Sequence, residues 1–223
     1  MSCGIIAIDG GAGTGKGTTA RGVAKALWYI YVDTGAMYRA VTLWCMRHDM
    51  QEATDAEIEA HLAEIQLQFV RQSDDILHIH LNGEDIEDII RTPDVDQRVA
   101  KISARQVVRN CLITQQRLMA NSGGVVMEGR DIATVVAPHA ELKVFLRCDD
   151  EVRSQRRYQQ FLAQWKQTTL EEVKEGLRKR DEMDYNGHSP TSRKAEDARE
   201  LDTTHITIDE QIEIVLWRAR ELM

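Results

Sequence analysis

The chain has 223 residues, enough for one domain or for one domain carrying an insertion. Its 36 acidic and 28 basic residues give a formal net charge of −8, which argues against a protein built to coat nucleic acid or an anionic membrane. With 43% hydrophobic and 29% charged residues the mix is that of a soluble globular protein, and no stretch approaches the about 18 apolar residues of a membrane span.

In chain order, Gly4 to Asp9 is a short apolar run that predicts a strand buried on both faces. A glycine-rich turn follows, then helix formers from Thr18 to Leu27. Tyr29 to Val32 predicts a second buried strand ended by Asp33, and Ala36 to His48 a further helix. This β-α-β-α opening predicts an α/β fold with a parallel sheet flanked by helices. The texture then changes. Thr54 with Glu57 forms a capping box for a helix to about Ile65, Leu67 to Arg71 and Ile76 to Leu81 alternate, and Asn82-Gly83 signals a tight hairpin. Residues 52 to 92 therefore read as a small antiparallel unit inserted into the α/β frame. His78 and His80 share one strand face; with no third ligand nearby, a solvated face is expected rather than a metal site. Gln106 to Asn121 returns to helical spacing, and Gly124 to Met127 and Leu142 to Leu146 are strand-like. Asp150 to Ala163 and Leu170 to Met183 predict polar helices, Asp184 to Ala198 a loop, and Thr207 caps a last helix to about Leu222.

The four cysteines, Cys3, Cys45, Cys111 and Cys148, fit neither a CxxC metal pattern nor a disulfide framework, so free thiols in a reducing compartment are expected. Met1 to Gly11 lacks the basic start and long apolar run of a signal peptide, so a cytoplasmic location is expected.

The strongest chemical signal is Gly10-Gly11-Ala12-Gly13-Thr14-Gly15-Lys16-Gly17-Thr18, with the spacing of a P-loop. Glycines let backbone N–H groups close around phosphate oxygens, the following helix points its positive end at them, and Lys16 adds a cation. The strict pattern has Ser or Thr directly after the lysine; here Gly17 stands there, so Thr18 is the candidate hydroxyl near phosphate or a metal's water shell. Ligands of open α/β sheets gather at the carboxyl ends of strands, where Asp33 and Glu128 lie. Either acid positions magnesium through water or merely caps the next turn. Arg153, Arg156 and Arg157 share one face of a predicted helix, and beside a P-loop such a cluster suits polyphosphate.

Beyond the loop, several segments resemble one family. Gly10 to Thr18 is similar to the loop of nucleoside monophosphate kinases, where glycine commonly follows the lysine. Asp33-Thr34-Gly35-Ala36-Met37-Tyr38-Arg39 resembles bacterial cytidylate kinases, as do Ile90-Arg91-Thr92-Pro93, Glu128-Gly129-Arg130-Asp131-Ile132, Arg180-Asp181, and Ala195 to Ala198 followed by Leu201 to Thr204. The resemblance runs over nearly the whole chain. It implies transfer of the γ-phosphoryl group of ATP, with Mg2+, to CMP or dCMP. It implies a core of residues 1–33, 108–150 and 171–223, an inserted acceptor-binding domain at 34–107 and a lid at 151–170. It implies that Lys16, Arg130, Arg153, Arg157 and Arg180 act on the transferring group, and that Thr34, Arg39, Arg109, Arg130, Asp131, Arg180 and Asp184 hold the acceptor. Small nucleotides are the expected partners, with no nucleic acid or membrane, and a monomer is the default.

The sequence departs from the family at three places. Glu128 stands where aspartate is usual and Ala133 where glycine is usual. Gly187 stands where an arginine that helps hold the acceptor phosphate is usual. Loss of one such charged contact costs on the order of 1.5–3 kcal/mol, so arginine at position 187 is expected to lower the acceptor's Michaelis constant.

Overall fold

A computed structural model describes residues 4–72, 77–163, 167–186 and 193–222. In chain order they form β1 (Ile5–Gly10), α1 (Lys16–Leu27), β2 (Ile30–Asp33), α2 (Thr34–Arg47), α3 (Asp55–His61), β3 (Leu67–Arg71), β4 (Leu77–Leu81) and β5 (Glu84–Asp85). Then come α4 (Pro93–Ser103), α5 (Gln106–Asn121), β6 (Val125–Gly129), a π-helical turn (Ile132–Val136), β7 (Leu142–Arg147), α6 (Asp150–Ala163), α7 (Leu170–Asn186), β8 (Arg199–Asp202) and α8 (Ile208–Leu222). The chain divides into two compact units, one of Met1–Tyr31 with Ala120–Met223, the other Val32–Met119.

The five-stranded sheet has the order β2-β6-β1-β7-β8. β1 lies between β6 and β7, parallel to both, with Asp9 opposite Gly129 and Phe145, so the phosphate loop leaves the middle of the sheet. All six residues of β1 are buried, as a strand with neighbours on both edges and helices on its faces requires. Ile6, Ile8, Val126 and Val144 pack with Val23 of α1 and with Val215, Leu216 and Ala219 of α8. α1 and α8 approach closely at Gly22, where a Cβ would stand 2.3 Å from Ile212 Cδ1.

The second unit carries the antiparallel sheet β3-β4-β5, in which Leu67 pairs with Leu81 and Arg71 with Leu77. Asn82 and Gly83 turn the β4–β5 hairpin with φ of 51° and 87°, the double left-handed conformation of a two-residue turn. The core of this unit joins Met37, Val41 and Trp44 of α2 to Ile58, Ile79, Ile90, Val95 and Ile102, and α5 joins it through Val108 and Leu112.

Several local expectations need correction. The predicted loop after Met183 is helical through Asn186, so Asp184 stands on α7. α1 begins at Lys16 and α2 at Thr34, each two residues earlier than the apolar pattern alone suggests. The sequence reading has no counterpart to α4. Nor has it one for β8, a short polar strand that among the described residues pairs with β7 alone. His78 lies 2.8 Å from Asp85, and His80, with its side chain 16% exposed, lies 3.9 Å from the same carboxylate, so the two histidines are partly buried beside an acid rather than on the solvated face the sequence suggests.

Candidate active site

The loop from Gly10 to Gly15 is shaped by what its glycines avoid. A Cβ on Gly10 would stand 2.5 Å from the Leu146 carbonyl oxygen, and one on Gly13 3.0 Å from the Arg153 carbonyl oxygen. Gly15 takes the N-cap of α1 in the left-handed conformation, φ 94°, and no side chain caps the helix. The N–H groups of the first turn therefore face the loop unclaimed by a cap, the usual way a helix N-terminus receives an anion. Lys16 folds back so that Nζ donates to the Gly11 carbonyl at 2.8 Å, and Thr14 Oγ1 donates to the same oxygen at 2.9 Å.

Around Lys16 the first unit gathers charge. Arg130 donates through Nη1 to the Gly10 carbonyl and pairs through Nε with Asp184 at 2.8 Å. Burial, then the neighbouring Arg130, press the Lys16 ammonium down to about 7, with Arg180 adding to the effect and Glu128 and Asp184 opposing it. Asp131 is buried at the entry to the π-helical turn. Behind it, Asp9 accepts the N–H groups of Ile132 and Ala133 at 2.9 and 2.8 Å. Burial nevertheless pushes Asp9 up to about 6. Glu128 accepts the Tyr31 hydroxyl at 2.8 Å. Its Oε1 lies 2.7 Å from where a Cβ on Gly17 would stand. The glycine after the lysine thus makes room for a long acid, and the carboxylate lies against position 17, while Thr18 is exposed on α1.

The arginines of α6 take separate paths although their spacing puts them on one face. Arg153 is buried, joined to Asp181 of α7 and to Asp150 at 2.8 Å, with Nη1 3.5 Å from the Ala12 carbonyl of the phosphate loop. Arg156 donates to the Thr203 carbonyl at 2.7 Å and to Ile206, which makes it a brace for the segment after β8. Arg157 lies over the Phe161 ring, 4.5 Å from its centroid. Gly187, with its expected shortfall of one arginine, lies outside the described residues.

In the second unit, Asp33 ends β2 and N-caps α2 by accepting the Ala36 N–H at 2.9 Å. Its other oxygen pairs with Arg91 at 2.9 Å, and Arg91 also binds Glu87. Both Asp33 oxygens are therefore engaged, which favours the capping reading of this acid over the metal-positioning one. Thr34, Arg39 and Arg109 are all buried, on α2 and α5. Arg39 Nη1 donates to the Ile90 carbonyl at 3.2 Å and to Asp96 of α4 at 2.5 Å.

Asp96 and Asp9 were not among the expected site residues. Asp96 needs α4, whose signal is Pro93 at the first helical turn and the buried spacing Val95, Val99, Ile102. Asp9 reads in sequence only as the polar end of an apolar strand.

The family model described as Cytidylate kinase matches residues 6–221. A cytidylate kinase of Bacillus cytotoxicus is 39% identical over 211 residues, 95% of this chain and 93% of the relative. One of Geobacter sulfurreducens is 41% identical over 209 residues, 94% of this chain and 89% of the relative. An uncharacterized protein of Eubacterium ventriosum shares the fold, with a TM-score of 0.53 at 12% identity over 98% of this chain and 99% of that one. With a family model spanning nearly all of it and curated relatives at about two-fifths identity, this chain belongs to the cytidylate kinase family.

Proposed function

We propose that the protein transfers the γ-phosphoryl group of ATP to CMP and dCMP, giving CDP and dCDP. The observation that carries the chemistry is Lys16 at the start of an uncapped helix, crowded by Arg130 and Arg180. A polyphosphate there relieves the crowding of Lys16 by two arginines, which Glu128 and Asp184 offset only in part. The loop N–H groups and Lys16 hold the donor's phosphates, with Arg153 and Arg157 as further donors. Thr34, Arg39, Arg109, Arg130, Asp131, Arg180 and Asp184 hold the acceptor. Residues 34–107 act as the acceptor-binding domain and 151–170 as the lid over a core formed by the rest.

Phosphoryl transfer asks the protein for positioning and charge neutralisation rather than covalent help. The attacking acceptor phosphate is already an anion, so no general base is required. Lys16 and the arginines orient the reacting phosphates and take up charge on the transferring group, and the lid excludes water that would otherwise hydrolyse ATP. The residues fit Mg2+, since Glu128 brings one carboxylate against the first turn of α1, and this ion favours one or two carboxylates alongside substrate phosphates. Glu128 would hold it, with Thr18 at most through water; bound there, the ion supplies charge neutralisation to the β- and γ-phosphates.

The test is ADP release measured with ATP and magnesium while CMP, dCMP, UMP, AMP and dTMP are offered separately. Turnover with CMP and dCMP far above the others is expected. Turnover confined to another acceptor would keep a kinase and overturn the substrate. ATP binding without acceptor-dependent turnover would overturn the catalytic reading.

A further inference from the structure

Arg39 is 8% exposed, and its bonds among the described residues both leave from one nitrogen, Nη1, to the Ile90 carbonyl and to Asp96 Oδ1. The edge formed by Nε and Nη2 has no protein acceptor there. Burying guanidinium donors without acceptors is costly, and such an edge matches two oxygens of one phosphate in the two-pronged geometry that arginine favours. The two acids in the first turn of α4 behave differently. Asp94 is an exposed neighbour of Arg98, whereas Asp96 is turned inward with its side chain 21% exposed. A first-turn acid is favourable to any helix, but that alone gives no reason for one of them to face a buried arginine.

We propose that Asp96 is a positioning residue of the acceptor site. By holding Nη1 it fixes the Arg39 guanidinium in one orientation and leaves the Nε–Nη2 edge presented to the phosphate of a nucleoside monophosphate. Arginine without this anchor has many rotamers to lose when it binds, so the anchor makes part of that loss on folding instead. The proposal rests on the reading of Arg39 as an acceptor ligand.

The experiment is steady-state kinetics on Asp96→Ala, Asp96→Asn, Arg39→Ala and the double variant Arg39→Ala with Asp96→Ala, with thermal unfolding recorded for each. Asp96→Ala is expected to raise the Michaelis constant for CMP by about ten-fold, leaving that for ATP and the kcat within about two-fold. Asp96→Asn keeps an oxygen for Nη1 and is expected to recover most of the loss. In the Arg39→Ala background the change at position 96 is expected to add nothing. If Ala at position 96 prevents folding, Asp96→Ser, polar but too short to reach Arg39, carries the same expectation. An unchanged CMP constant in Asp96→Ala, or an equal effect with and without Arg39, overturns the proposal while Arg39 keeps its role. An unchanged CMP constant in Arg39→Ala overturns the reading of Arg39 itself and the proposal with it.

Discussion

The phosphate loop of the first unit and the Arg39 region of the second hold their cations in opposite ways. Lys16 is pressed among other cations, with burial and Arg130 lowering its proton affinity to about 7. Arg39 is balanced by an acid at 2.5 Å before any ligand arrives. The first arrangement stores unfavourable charge that an anion relieves. The second stores orientation. One cluster of positive residues in a sequence can thus do either, and only the neighbouring carboxylates decide which.

The contrast is tested most severely by removing each cation. Lys16→Met is expected to lower kcat by roughly 10²–10³-fold, as loss of one charge-stabilising donor does, while leaving the melting temperature unchanged or higher. Arg39→Met is expected to lower stability by about 1–3 kcal/mol, because Asp96 then loses a charged partner in a mostly buried position. Melting curves that move in the same direction for both would break the comparison.

A second effect follows from proton uptake. A lysine depressed to about 7 is fully charged below that pH and progressively neutral above it, and a bound polyphosphate restores its charge. ATP affinity is therefore expected to fall steadily as the pH rises from about 7.5 to about 9, an interval in which ATP itself is already mostly in its fully ionised form. Calorimetry in buffers of different ionisation enthalpy would report a proton taken up on binding. A CMP slope as steep as that for ATP would place the two regions in the same class.

A further expected effect concerns Gly17. A methyl there would stand 2.7 Å from Glu128 Oε1 and 3.4 Å from the Tyr31 hydroxyl. Gly17→Ala is expected to cost about 1–3 kcal/mol of stability, and Glu128→Asp in the same chain, shorter by one methylene, to recover most of it. Thermal unfolding of the single and double variants decides whether position 17 and Glu128 are coupled.

The α/β class, the phosphate loop and the hairpin at Asn82-Gly83 were legible because each depends on neighbours in sequence: a strand-to-helix glycine run, an apolar pattern, a turn dipeptide. β8 was not, because a polar strand paired along one edge has no hydrophobic alternation to show. Spacing gave the three arginines of α6 a common face, but the partners that draw two of them apart lie far along the chain. Arg153 meets Asp181, and Arg156 meets Thr203, 47 residues away. Asp33 and Glu128 looked equivalent as acids at strand ends. Arg91 and the Ala36 N–H distinguish the first, and the room left by Gly17 the second.

The buttresses of the phosphate loop come from the far end of the chain. Thr203 Oγ1 donates to the Thr14 carbonyl at 3.1 Å across 189 positions, and Gln211 Oε1 accepts the Thr19 hydroxyl at 2.8 Å across 192. The same Gln211 oxygen lies where a Cβ on Gly15 would intrude, at 2.8 Å. On a ribosome, then, the nucleotide-holding turn is made long before its supports, the first of which comes with the segment after β8 and the second with α8. A chain cut anywhere between the loop and Thr203 therefore carries neither support.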